Sequence, residues 1–145
     1  MLLCLGINPA VVAAQSSAAA ARSDCRFLDD AAMGAAVTRA AGKTHTVTQH
    51  LEGKDASYGC EYRFGSVKDR VMVRYTKIRW DPAQAQVFTL DGLRAYYSPG
   101  EGDRAVGVEI GGGVFSVVVW MSDPSDAFSK KVAIEVFRAA RPKVA

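Results

Sequence analysis

Histidine and cysteine, which often bind metals or act as nucleophiles, are scarce in this chain of 145 residues. The only histidines, His45 and His50, lie five positions apart in a predicted strand, so their side chains point to opposite faces and cannot share a metal ion without a bulge. None of the three cysteines has a histidine placed to complete a zinc site with it. No serine stands in a Gly-x-Ser-x-Gly turn. The sequence therefore predicts no catalytic, metal or cofactor site.

Charge is absent from the N-terminal end, where the first charged residue is Arg22. The apolar stretch before it is interrupted by polar residues and a proline, whereas a membrane-spanning helix needs about 20 apolar residues. We interpret residues 1–14 as a signal peptide cleaved after Val12-Ala13-Ala14, and residues 15–23 as a disordered start of the mature chain. Cleavage as late as residue 21, and an apolar helix that stays attached, are the alternatives. The lack of positive charge before the apolar core leaves open a longer natural signal.

The cysteines carry the second indication of export. Cys4 lies in the predicted signal peptide and follows Leu3, where a lipidation signal has a small residue, so a lipid anchor is not expected. The mature chain keeps Cys25 and Cys60, and two cysteines in an oxidising compartment usually form a disulfide. Two buried free thiols are the alternative. We expect a protein that is secreted or held in the cell envelope or periplasm, with no transmembrane span in its mature form.

Residues 24–145 are predicted to form a single domain, because about 130 mature residues fall within the usual size of one domain. The sequence contains no internal repeat and no long linker. Its net charge of +3 at pH 7 is small. Such a charge neither requires nor excludes an anionic partner.

Helical spacing of apolar residues predicts a helix at residues 29–41, capped by Asp29 or Asp30. A long C-terminal helix is predicted after Asp123-Pro124, a cap followed by proline at the first helical position. Paired carboxylates at both helix starts, Asp29 with Asp30 and Asp123 with Asp126, stabilise the positive end of the helix dipole. That role accounts for them without acid–base catalysis.

Alternation of apolar and polar residues predicts the strands. They fall at residues 44–51, 58–64, 71–75, 90–97, 105–110 and 114–121. A bulge is expected near Thr76, where the apolar positions change parity, and a short helix at residues 82–87. Gly111-Gly112-Gly113 is interpreted as a hairpin turn, because a strand and not a helix follows it. The order predicts an α+β fold: an antiparallel sheet of five to six strands with an N-terminal helix, a short middle helix and a long C-terminal helix.

Five basic residues cluster on the second and third predicted strands and just beyond them. They are Arg63, Arg70, Arg74, Lys77 and Arg79. A basic face with neighbouring aromatic residues can bind a polyanion such as an envelope polymer or an acidic lipid; nucleic acid is not the expected partner. An ordinary solvated sheet face is the alternative, since Glu61 and Asp69 interrupt the cluster.

Tyr96 and Tyr97 precede a loop that contains two glycines, at residues 98–103. Exposed tyrosines beside glycines are typical of recognition loops. The two tyrosines fit a strand and the core equally well, and the sequence does not decide between these hypotheses.

Three short motifs resemble a family of small actinobacterial exported proteins and lipoproteins of unknown function. They are Cys25-Arg-Phe-Leu-Asp-Asp-Ala, Tyr58-Gly-Cys60-Glu-Tyr62 and Leu90-Asp-Gly-Leu-Arg-Ala-Tyr96. Their order covers nearly the whole mature chain. The resemblance implies an α+β fold and a disulfide, and it implies no catalytic residue.

The expected function is a non-enzymatic, exported binding or accessory domain, monomeric and without a cofactor. Its partner would be a protein or a polyanion of the envelope or the extracellular space. The alternative is an inhibitor or immunity-like protein that blocks a secreted enzyme with a rigid, disulfide-clamped loop. An enzyme with a pocket that the sequence does not reveal is the third possibility.

Overall fold

The computed structural model describes residues 24–53, 59–77, 81–99, 104–122 and 125–144. The predicted signal peptide, Cys4 and the predicted disordered residues 15–23 lie outside these ranges. Across the described ranges, no helix is both long enough and apolar enough to cross a membrane. All of these ranges fall within the predicted domain at residues 24–145.

Seven antiparallel strands form one sheet. The strands are β1 (Gln49–Glu52), β2 (Cys60–Ser66), β3 (Asp69–Thr76), β4 (Gln86–Leu90), β5 (Leu93–Pro99), β6 (Arg104–Ile110) and β7 (Gly113–Trp120). Their order across the sheet is β1-β2-β3-β7-β6-β5-β4. The predicted antiparallel α+β fold is confirmed, but the expected number of five to six strands was too low.

The additional strand arises from a two-residue turn inside the segment predicted as one strand. Asp91 has a φ of 51° and Gly92 a φ of 81°, and a type I′ hairpin turn requires positive φ at both of its central residues. Leu90 therefore lies opposite Leu93, and the chain doubles back into a hairpin. The Asp-Gly pair is the strongest short-range signal for such a turn, and the prediction of a strand at residues 90–97 overlooked it.

The predicted helix at residues 82–87 is also wrong beyond its first turn. Asp81 caps a single 3-10 turn, Pro82–Gln84, by accepting a hydrogen bond from the Ala83 N–H. The chain then enters β4, whose residues include Val87 and Phe88. Because β-branched and aromatic side chains favour strands, this segment joins the sheet edge instead of extending the helix.

The first predicted strand is shorter than expected, because only Gln49–Glu52 pairs with β2. The backbone N–H of His45 donates to the side-chain oxygen of Thr38 at 2.9 Å instead of to a neighbouring strand. The expected bulge near Thr76 is not found in the described part of β3, which pairs with β7 without a break as far as Thr76. The register shift lies instead in β2, between Arg63 and Ser66.

Two helices, α1 (Asp30–Ala41) and α2 (Asp126–Val144), supply core residues on one face of the sheet. Asp29 caps α1 by accepting the Ala32 N–H at 2.7 Å, which confirms the predicted start. α2 packs on β6 and β7, and α1 packs against α2. This arrangement gives the sheet a helical face and a second face that points away from the helices.

The Cys25–Cys60 disulfide joins the start of the described chain to β2, with the two Cα atoms 5.0 Å apart. Cys60 is fully buried in the core. Phe27, two residues after Cys25, packs edge-on against Phe115 of β7 with ring centroids 5.4 Å apart. The hydroxyl of Tyr62, also in β2, donates to the Leu28 carbonyl at 2.6 Å. The disulfide therefore lies within a packed junction between the segment before α1 and the sheet.

Candidate functional site

Three of the predicted basic residues share the sheet face that points away from the helices. Arg63 of β2 lies directly opposite Arg70 of β3, and Arg74 lies on the same face of β3 because side chains alternate along a strand. Lys77 is exposed just after β3, whereas Arg79 lies outside the described residues. We call Arg63, Arg70 and Arg74 the basic face.

Glu61 partly neutralises the basic face. Its Oε2 accepts a hydrogen bond from Arg63 Nε at 2.7 Å, and its Oε1 lies 3.6 Å from Arg70 Nη1. Like charges directly opposite each other on a sheet are destabilising, so this carboxylate offsets the repulsion between the two arginines. Asp69, the other expected interruption, bonds to Ser122 instead, and strand alternation places it on the other face of β3. The basic face thus retains a net positive charge.

Arg70 is the most constrained member of the basic face. Its guanidinium lies over the Trp120 ring, 4.3 Å from the ring centroid, in cation–π geometry. Its Nε is buried and has no hydrogen-bond partner among the described residues. A buried donor without a partner costs free energy. Arg70 is therefore held in a fixed position over Trp120, while 31% of its side chain stays exposed.

The predicted recognition residues Tyr96 and Tyr97 belong to β5 and are buried, with 2% and 3% of their surface exposed. The Tyr96 hydroxyl donates to Glu109 at 2.6 Å, and the Tyr97 hydroxyl donates to Asp126 at 2.9 Å. The hypothesis of an exposed recognition loop at these tyrosines is therefore wrong. Both side chains are packed, and both hydroxyls are held by carboxylates within the molecule.

Tyr97 and Arg104 both bind the carboxylate of Asp126, the first residue of α2. Arg104 Nε donates to Asp126 Oδ1 at 2.6 Å. The bonds from Arg104 and Tyr97 lower the pKa of Asp126. Burial, together with the bond to Asp126, raises the pKa of Tyr97 to about 12. This cluster fixes the start of α2 against β5 and β6, a structural role.

Replacing Tyr97 with phenylalanine should reduce the loss of stability in alkali. Because the pKa of Tyr97 lies above its usual value of 10 in the folded protein, folding is favoured while the phenol is neutral. That contribution is lost as the pH rises from 10 towards 12. Near pH 7 the variant should lose about 1 kcal/mol with its hydrogen bond. Urea unfolding at several pH values tests this, and an equally steep alkaline decline in both proteins would contradict it.

His45 and His50 contact different residues. His50 Nδ1 lies 2.8 Å from Asp30 Oδ1, whereas His45 Nδ1 lies 3.0 Å from the Lys43 carbonyl oxygen. Within the described ranges, no group of three or more histidine, cysteine, aspartate or glutamate side chains could hold a metal ion. The two histidines therefore have different partners, a carboxylate for His50 and a backbone carbonyl for His45.

A cleft of about 400 Å³ lies between the end of α1, the start of β3 and the start of α2. It is lined by Ala41, Lys43, His45, Asp69, Met121, Ser122 and Phe128. These residues could not be predicted as a group, because they come from four separate parts of the chain and no motif links them. The Ser122 hydroxyl donates to Asp69, and His45 Nδ1 lies by the Lys43 carbonyl oxygen, so Ser122 and His45 are not bonded to each other as a nucleophile and its base.

Comparison of the chain with protein-family models, with curated proteins and with solved structures found no match. The resemblance to small actinobacterial exported proteins therefore stays a prediction.

Proposed function

We propose that this protein is an exported, non-enzymatic binding or accessory domain that contacts an anionic partner in the cell envelope through the basic face. The observation that carries the proposal is the arrangement of Arg63 opposite Arg70, with Arg74 four residues further along the same face of β3. Three arginines on one face attract anions over a range set by the ionic strength.

Export is the premise of this proposal and has its own support. The Cys25–Cys60 disulfide is of the kind that persists in oxidising compartments and is rare in reducing ones. Together with the predicted signal peptide, it favours secretion or retention in the envelope. Of the two predicted contact surfaces, the one at Tyr96 and Tyr97 is not available to a partner, because both side chains are buried.

The strongest contact is expected at Arg70. Arginine presents several N–H donors in one plane, which suits carboxylate and phosphate groups. The Trp120 ring holds this plane in place, so little side-chain entropy is lost on binding. Bound anions would also have to compete with Glu61, which keeps the interaction weak and sensitive to salt.

Removing two charges from the basic face should weaken binding to a polyanion. We expect Arg70→Gln with Arg74→Gln to lower the affinity for dextran sulfate about tenfold in low salt, since affinity for polyanions depends on the number of charges neutralised. The matched control is Lys131→Gln with Lys143→Gln, which removes the same charge from exposed positions on α2. Fluorescence anisotropy over a salt series measures both.

Equal losses in the two double variants would mean that net charge alone drives binding, and would contradict the proposal. So would the absence of any binding at low ionic strength. Thermal unfolding of each variant shows whether the fold is intact, and single Arg63→Gln replaces the double variant if it is not.

A further inference from the structure

We propose that the cleft between α1, β3 and α2 binds a small zwitterion, an α-amino acid with an apolar side chain. This site is separate from the basic face and does not depend on the proposed function. Its volume of about 400 Å³ lies in the range of small-ligand sites, which combine apolar walls with a few polar groups.

The first argument is the pair of opposite charges in the cleft. Lys43 and Asp69 both line it, yet neither forms an ion pair within the part of the chain that the structure describes. Opposite charges that face one cavity without touching can be bridged by a ligand that carries both signs. A simple anion would be repelled by Asp69 and a simple amine by Lys43, so a zwitterion is the class that satisfies both.

The second argument is that the carboxylate is held in place before any ligand binds. Asp69 Oδ1 accepts the Ser122 N–H at 2.7 Å and the Ser122 hydroxyl at 2.8 Å. Its other oxygen has no hydrogen-bond partner among the described residues and is available to a ligand ammonium group. A fixed carboxylate binds more tightly than a mobile one, because less side-chain entropy is lost.

The third argument is the composition of the remaining walls. Ala41, Met121 and Phe128 give the cleft an apolar lining, which suits an aliphatic side chain. His45 also lines the cleft, and its Nδ1 lies 3.0 Å from the Lys43 carbonyl oxygen. Lys43 can therefore meet the carboxylate end of the ligand while Asp69 meets its ammonium end.

Three ligands test the charge requirement on the unmodified protein: leucine, N-acetyl-leucine and leucinamide. In NMR titrations, leucine should shift the backbone amides of His45 and Ser122. The two analogues, each lacking one charge, should bind at least about tenfold more weakly, as expected for the loss of a charge-assisted hydrogen bond. No shifts with leucine at millimolar concentration, or equal binding of either analogue, would overturn the proposal.

Single substitutions test which charged residue of the cleft meets each charge of the ligand. Asp69→Asn should abolish the preference for leucine over N-acetyl-leucine, and Lys43→Gln should abolish the preference for leucine over leucinamide. Lys68→Gln is the control, because Lys68 precedes Asp69 in the hairpin and does not line the cleft. Arg70→Gln should leave leucine binding unchanged, so failure here is distinguishable from failure of the basic face. Unchanged preferences in both cleft variants would also overturn the proposal.

Discussion

Removal of the Cys25–Cys60 disulfide should lower the free energy of unfolding by about 3–4 kcal/mol. A cross-link that closes a loop of 35 residues restricts the unfolded chain, and the chain-entropy model gives a contribution of this size. Small domains are stable by only about 5–15 kcal/mol in total. We therefore expect the double variant Cys25→Ala with Cys60→Ala to unfold at a markedly lower urea concentration, with a somewhat higher m-value because its unfolded chain is less compact.

Alanine is the better replacement here, because Cys60 is fully buried and a serine hydroxyl there would need a partner. Reductant provides the internal control: it should destabilise the wild-type protein and leave the double variant unchanged. If the double variant were as stable as the wild type, or if reductant destabilised both proteins equally, the disulfide would not make the expected contribution to the free energy of unfolding. Intact mass of the secreted protein with and without reductant would, in the same samples, report the disulfide and the cleavage site.

The elements that the sequence predicted well are those with strong local signals. α1 has a capping aspartate, and its apolar positions Met33, Val37 and Ala40 are all buried. The strand at β7 is apolar in nearly every position, which indicated a central strand, and β7 is the fourth of seven. The disulfide followed from the pairing of two cysteines in the mature chain and is present.

Elements decided by competition between partners were harder to predict. The residues before β1 have strand-forming side chains. The His45 N–H nevertheless donates to the side-chain oxygen of Thr38 in α1, and this bond holds the segment against the helix. Tyr96 and Tyr97 fit a loop or a strand by local pattern, and only the pairing of β5 with its neighbours buries them. Such outcomes depend on contacts between distant parts of the chain.

The basic face and the cleft also differed in how far the sequence could predict them. Arg63 and Arg70 were expected to be neighbours because a short hairpin joins their strands, and the register places them opposite each other. The cleft could not be predicted, because Lys43 and Asp69 are 26 positions apart in the sequence and line one cleft only in the folded domain. Sequence patterns therefore located the site within one hairpin but not the site between distant elements.

Gly59 should be the most sensitive glycine in β2 and its flanks, and Gly59→Ala should cost about 2–5 kcal/mol. Gly59 has a φ of 68°, and a left-handed conformation costs other residues about 1–2 kcal/mol. A Cβ at this position would also lie 2.3 Å from the Val73 carbonyl oxygen. That oxygen belongs to the backbone of β3, so relief of the clash requires a strand to move, which typically costs about 1–3 kcal/mol.

Gly65→Ala is the matched control for this clash. Gly65 has a similar φ of 87°, but an added Cβ there would meet nothing within 4 Å. Gly65→Ala should therefore lower the free energy of unfolding only through its unfavourable φ, by about 1–2 kcal/mol. The difference between the two variants in urea unfolding measures the steric contribution of the close approach between Gly59 and β3. Gly59 adjoins Cys60, which the disulfide ties into the packed junction. If both variants lost the same free energy of unfolding, the end of β2 at Gly59 could move away from β3 at little cost. That result would contradict the tight packing of this junction.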